Sequence, residues 1–153
     1  MRLFLAALLP EEVKARIDCY IRLVRPRCEG VKWENYDKLH VTLKFLGNVD
    51  DSMAARVSSA IGSVVHDYSP FETGVANLGG FPSLDNPRIL IIALSENPGL
   101  SSLQDRVEGV LEPLGFLREK RKFFPHVTIG RIKSRIKIKE PLPMLERGEF
   151  TID

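Results

Sequence analysis

His40-Val41-Thr42-Leu43 and His126-Val127-Thr128-Ile129 repeat one short pattern 86 residues apart. An imidazole titrates near pH 6.5, so two of them supply an acid and a base at neutrality. A hydroxyl two residues further on supplies a donor for an anionic oxygen. Two imidazoles and two hydroxyls together suit in-line phosphoryl transfer. One histidine deprotonates an attacking water, while the other, protonated, neutralises the oxygen that leaves across the phosphorus. Each positioned proton transfer contributes roughly 10²–10⁴-fold in rate. His40 and His126 are therefore the candidate catalytic residues, and Thr42 and Thr128 the candidate holders of the non-bridging oxygens.

That chemistry requires both motifs to face one space. Side chains alternate along a strand, so His40 and Thr42 share one face while Val41 and Leu43 take the other, and the second motif repeats the parity. The offset of 86 also carries residues 2–8 (RLFLAAL) onto residues 88–94 (RILIIAL), and Ile17, Ile21 and Val24 onto Leu103, Val107 and Val110. A lone His-x-Thr commonly makes hydrogen bonds within a sheet and nothing more. Two in register with a repeated strand and a repeated helical stripe point to two half-copies, each contributing a histidine and a threonine to one cleft.

The elements follow from periodicity. Residues 2–9 read as a strand apolar enough to be covered on both faces. Pro10 suits the first position of a helix with Val13, Ile17, Tyr20, Ile21 and Val24 on one face. A short strand is expected over 31–33 and a longer one over 40–45. A helix capped within 48–51 carries Met53, Val57, Ile61, Val64 and Tyr68. Strands follow over 71–78 and 88–94, separated by a Gly79-Gly80-Phe81-Pro82 break, then a helix from Pro98 that closes near Pro113 and Gly115. Residues 123–132 read as a strand, 135–138 as a short extension, and 148–152 as the start of another. Connections such as that between 71–78 and 88–94 are too short for parallel crossovers. The expected fold is α+β, with two pseudo-symmetric lobes of mostly antiparallel sheet, helices packed outside, and a central cleft.

With 153 residues, 44% of them apolar, the chain suits one domain with a sizeable core. Its net charge of +2 does not mark a general polyanion binder. The distribution is uneven: Arg118, Lys120, Arg121, Lys122, Arg131, Lys133, Arg135, Lys137 and Lys139 surround the second motif, opposed there by Glu119 alone. Such a cluster serves a phosphate-bearing substrate or a solvated basic edge, and the two are compatible. Cys19 and Cys28 match no metal or redox spacing, and neither motif has the nearby second ligand of a zinc site. Residues 1–9 are too short for a signal peptide and align with 88–94, so a cytoplasmic protein without a membrane span is expected. His66, off its helix's apolar stripe, reads as a surface residue.

At greater length the motifs are Leu39-His40-Val41-Thr42-Leu43-Lys44-Phe45-Leu46-Gly47 and Pro125-His126-Val127-Thr128-Ile129-Gly130-Arg131. They resemble the paired motifs of the two-histidine phosphoesterase superfamily, and most closely its RNA 2′,3′-cyclic phosphodiesterase branch, also named 2′-5′ RNA ligase. The resemblance implies a substrate of RNA or nucleotide ending in a 2′,3′-cyclic phosphate, no metal or other cofactor, and hydrolysis to a 2′-phosphomonoester. It makes His40 the acid on the departing 3′ oxygen, His126 the base on water, and Arg131 a phosphate contact. Strict parity would put Arg131 on the face opposite His126, so that role requires a bend at Gly130. Trp33, Tyr36, Phe81 and Phe124 are candidates for base stacking or for core packing, and Lys44 for the cleft or its rim. Family members usually continue past the position of Asp153, so the expectation is one two-lobed domain over 1–153, shortened at its C-terminus, with an exposed edge or one that a partner chain covers. Oligomeric state is not legible. The alternatives are 2′-5′ ligation by the same groups, hydrolysis of another cyclic nucleotide phosphate such as one derived from ADP-ribose, and a non-catalytic RNA- or nucleotide-binding module.

Overall fold

The computed structural model of the chain describes residues 1–68, 71–95, 97–138 and 148–152. Seven strands, β1 (Arg2–Leu8), β2 (Cys28–Trp33), β3 (His40–Asn48), β4 (Phe71–Phe81), β5 (Ile89–Leu94), β6 (His126–Ile138) and β7 (Gly148–Ile152), form one antiparallel sheet. Its order is β1-β3-β6-β5-β4-β7, and β2 pairs with the later part of β6. Three helices complete the α+β architecture: α1 (Glu11–Val24), α2 (Asp51–Val65) and α3 (Pro98–Leu111).

Two of the helices, α2 and α3, start where a side chain accepts from the orphan amides of the first turn. The Asp50 carboxylate accepts from the Met53 amide at 2.7 Å, and the Asn97 side chain accepts from Gly99 and Leu100 at 2.7 and 3.2 Å. Pro98 occupies the first turn of α3 as expected, whereas Pro10 caps α1 from outside, its ψ of 148° being extended. The apolar stripes are buried: Val13, Ile17, Tyr20, Ile21 and Val24 on α1, Val57 and Val64 on α2, and Leu100, Val107 and Leu111 on α3. The C-terminus of α3 passes through a 3₁₀ turn into Gly115, whose φ of 101° is left-handed.

The internal repeat is visible in three dimensions. The offset of 86 lays β1, α1 and β3 over β5, α3 and β6, and β1 pairs with β3 as β5 pairs with β6. The two halves meet where β3 faces β6, at Val41 opposite Val127, both fully buried.

Three expectations change. β1 is covered on one face only: Phe4 and Leu8 are 45% and 77% exposed, on the face that carries His40, because that face borders the cleft. β4 runs through Gly79 and Gly80, which pair with Ile91 and Leu90, and ends at Phe81, just before Pro82. Gly80 answers a close approach, since a Cβ there would stand 2.8 Å from Pro87. β6 begins at His126, three residues later than the apolar run suggests, and continues unbroken to Ile138. Among the described residues β1, β2 and β7 each pair with a single strand, and no helix is long and apolar enough to cross a membrane.

Candidate active site

Val41 and Val127 set the site's geometry. In an antiparallel pair, one step either way from their contact brings Thr42 across from His126 and His40 across from Thr128. All four point away from the buried valines, onto the opposite face of the sheet. Directly opposed Cβ atoms lie about 4.5–5.5 Å apart and diagonal ones about 7–8 Å. The two imidazoles occupy a diagonal, a separation that admits a phosphoryl group between them.

Both rings are held in the same way. His40 Nδ1 lies 2.6 Å from the Lys38 carbonyl, and His126 Nδ1 lies 2.7 Å from the Phe124 carbonyl, the same bond 86 residues on. A carbonyl only accepts, so Nδ1 carries the hydrogen and donates it. Each Nε2 is thereby left for proton transfer. That of His40 sits 3.1 Å from the Thr42 hydroxyl. Burial holds the His126 pKa below the ordinary imidazole value, and the charge of His40 lowers it further against the opposing pull of the Phe124 carbonyl. His126 is thus neutral at neutral pH and suited to accept a proton.

Bulges at equivalent places decide what else joins the site. In β3 the register steps from Thr42 to Lys44 opposite Ala6 and Leu5, skipping Leu43. In β6 it steps from Thr128 to Gly130 opposite Ile91 and Leu90, skipping Ile129. Each extra residue inverts the parity beyond it. Arg131 consequently reaches the cleft, as a phosphate contact would require, and Phe45, its counterpart in the first half, does too. The cleft has a volume of about 780 Å³ and is lined by Thr42, His126, Thr128 and Arg131 together with Arg88, Arg121 and Lys122. His40 stands beside this cleft rather than in its lining, joined to it through Thr42. Among the described residues no carboxylate pairs with Arg131.

Aromatic rings flank both imidazoles. Phe4 lies 4.9 Å from His40 between ring centres, and Phe81 meets His126 edge-on at 5.2 Å, with Phe124 against both. Phe81 and Phe124 thus join the site. Trp33 instead packs on the core beside Gly130, and Tyr36 donates to the Glu11 carboxylate at 2.5 Å. Lys44 lines the cleft, but its ammonium is tied to Glu108. Sequence reading missed Phe4, Phe45, Arg88 and Glu108. Arg88 has a signal in its repeat of Arg2, whereas Phe45 has none without the bulge. Of the basic cluster, Arg118 is paired with Asp105 and Glu112, and Lys139 lies outside the described residues. His66 is exposed at the end of α2. Among the described residues no three His, Cys, Asp or Glu side chains converge as a metal-binding group.

Paired His-x-Thr strands at the seam of a duplicated antiparallel sheet are the arrangement expected of a two-histidine phosphoesterase, and comparison with known proteins gives the family. The family model described as the 2′-5′ RNA ligase superfamily matches residues 12–153. An RNA 2′,3′-cyclic phosphodiesterase of Archaeoglobus fulgidus is 32% identical over 135 residues, which cover 88% of this chain and 74% of that one. The crystal structure of TT0787 of Thermus thermophilus superposes with a TM-score of 0.80 at 27% identity, covering 99% of this chain and 84% of that one. E. coli LigT complexed with 3′-AMP shares the fold, with a TM-score of 0.78 at 24% identity over 99% of this chain and 83% of its own. The chain belongs to the 2′-5′ RNA ligase superfamily.

Proposed function

We propose that the protein is an RNA 2′,3′-cyclic phosphodiesterase that opens the cyclic phosphate at RNA or nucleotide ends to a 2′-phosphomonoester without a metal ion. His126 Nε2 takes a proton from water, whose oxygen bonds to phosphorus. The bond from phosphorus to the 3′ oxygen breaks, and His40 Nε2 gives its proton to that oxygen. The Thr42 and Thr128 hydroxyls and the Arg131 guanidinium donate to the non-bridging oxygens, where charge builds up. The observation that carries this reading is the Val41–Val127 register, which places two identically held imidazoles on one diagonal of one sheet face. The lowered pKa of His126 supports its role as base. Free thiols at Cys19 and Cys28 suit a cytoplasmic setting.

The cleft extends on the His126 side, beside Phe81 and Phe124. That room favours a second reading, in which a 5′-hydroxyl end replaces water and the same groups join two RNA ends through a 2′-5′ bond. Incubation of 2′,3′-cyclic AMP with chelator present tests the main reading. Wild type is expected to form 2′-AMP, and His40→Ala and His126→Ala each to lose at least about 10²-fold in kcat. Binding without turnover by the wild type, or turnover that needs added divalent metal, overturns it.

A further inference from the structure

Thr73 and Glu108 are the only buried polar residues among the described ones, and the chemistry above uses neither. Glu108 Oε2 lies 2.7 Å from Lys44 Nζ, with side-chain exposures of 5% and 8%. Gln104 donates to the other Glu108 oxygen at 3.1 Å, the Glu119 amide donates to Glu108 at 3.3 Å, and Lys44 donates to the Leu117 carbonyl at 2.8 Å. A buried ion pair is a poor device for stability alone, because desolvation offsets its attraction.

The internal repeat shows what this pair replaces. The offset of 86 lays Val31 on Leu117, Trp33 on Glu119 and Lys44 on Gly130. In the first half, β2 closes directly on β6, with Trp33 opposite Gly130. That approach tolerates no side chain, for a Cβ at position 130 would stand 2.7 Å from Val31. In the second half the equivalent residues form no strand. Lys44 stands where the other half has glycine, and its ammonium with Glu108 replaces backbone pairing by a side-chain bridge to Leu117 and Glu119. The segment is held away from β3, and Lys44, Glu108, Glu119 and Arg121 all line the space that results. The Glu119 carboxylate then accepts from the Lys120 and Arg121 amides at 3.1 and 3.4 Å, in the turn that begins the Arg121–Lys122 stretch.

We infer that Lys44 and Glu108 are positioning residues, a latch that holds the 117–122 segment off β3 and so sets Arg121 against the substrate phosphate. The inference rests on the cyclic phosphodiesterase reading. His126 is anchored separately, by its pairing with Ala93 and by the bond from the Leu94 amide to the Pro125 carbonyl at 3.0 Å. The latch therefore governs binding and leaves the proton transfers alone.

The double variant Lys44→Met/Glu108→Leu removes the latch while keeping the space filled and no charge buried. Glu108→Gln, closer in shape, tests the same point if the double variant fails to fold. KM and kcat on 2′,3′-cyclic AMP and the calorimetric Kd for 2′-AMP are measured for each, with and without Arg121→Gln. KM and Kd are expected to rise on the order of tenfold, as for loss of a charged hydrogen bond, with kcat within about threefold of wild type. Arg121→Gln has the same effect alone and little further effect once the latch is gone. A fall in kcat at unchanged KM, or full additivity with Arg121→Gln, overturns the latch. Wild type that binds 2′-AMP but opens no cyclic phosphate overturns the proposed hydrolysis, and the Kd comparison still decides the latch.

Discussion

The proposed role of His126 as the base rests on an imidazole held below its ordinary pKa, chiefly by burial. Burial and the charge of His40 favour its neutral form, and the Phe124 carbonyl, accepting from Nδ1, favours the cation. Removal of the His40 charge leaves the carbonyl less opposed, so the His126 pKa rises in His40→Ala when followed by NMR titration of the ring. A value that is unchanged or lower contradicts the pairing of the two rings. In the wild type the acid limb of kcat/KM is expected below pH 6.5, because the base must be deprotonated and its pKa is depressed. The same shift fixes a sign for stability. As pH falls below about 6.5 the unfolded chain takes up this proton first, so the contribution of His126 is present above that pH and lost on acidification through its folded pKa. At this scale the placement was legible: type and spacing put His40, Thr42, His126 and Thr128 on one face, as the Val41–Val127 register does, since two-residue alternation holds over so short a run.

Beyond three residues that alternation fails, and the reason lies in the strands. The extra residues Leu43 and Ile129 invert the parity, which brings Phe45 and Arg131 into the cleft. A bulge depends on how a strand pairs with its neighbour, so no local pattern announces it. Gly130 is the one visible trace, and its lack of a side chain lets β2 pass close to β6. Gly130→Ala places a methyl group against Val31 and Trp33, and overpacking of this kind typically costs about 1–3 kcal/mol. A urea titration is expected to show that loss, with a higher KM if Arg131, displaced in the cleft, holds the phosphate as proposed. Full stability at unchanged KM would contradict the account of the bulge. Gly79 and Gly80 misled in the opposite direction. Glycine reads as a break, yet here it marks a strand passing close to Pro87, and the hairpin turns only at Pro82.

The whole molecule is a duplicated sheet whose halves were made unequal. The repeat of strand, helix and strand was legible because the buried faces of β1, α1 and β3 need the same apolar periods as those of β5, α3 and β6. Their difference was not, since it turns on Lys44 in one half and Gly130 in the other, and only the packed structure gives those two positions opposite effects on a neighbouring segment. One half closes with β2, and the other stays open as the cleft beside His126. The proposed catalysis depends on a property of the assembled sheet: the seam must deliver its two rings to opposite sides of one phosphorus. A structure with a nucleoside vanadate, which mimics five-coordinate phosphorus, tests this directly. It should show His40 Nε2 and His126 Nε2 each at hydrogen-bonding distance, about 2.6–3.2 Å, from opposite apical oxygens. Both rings on the same oxygen, or either one turned away from the vanadate, would contradict it.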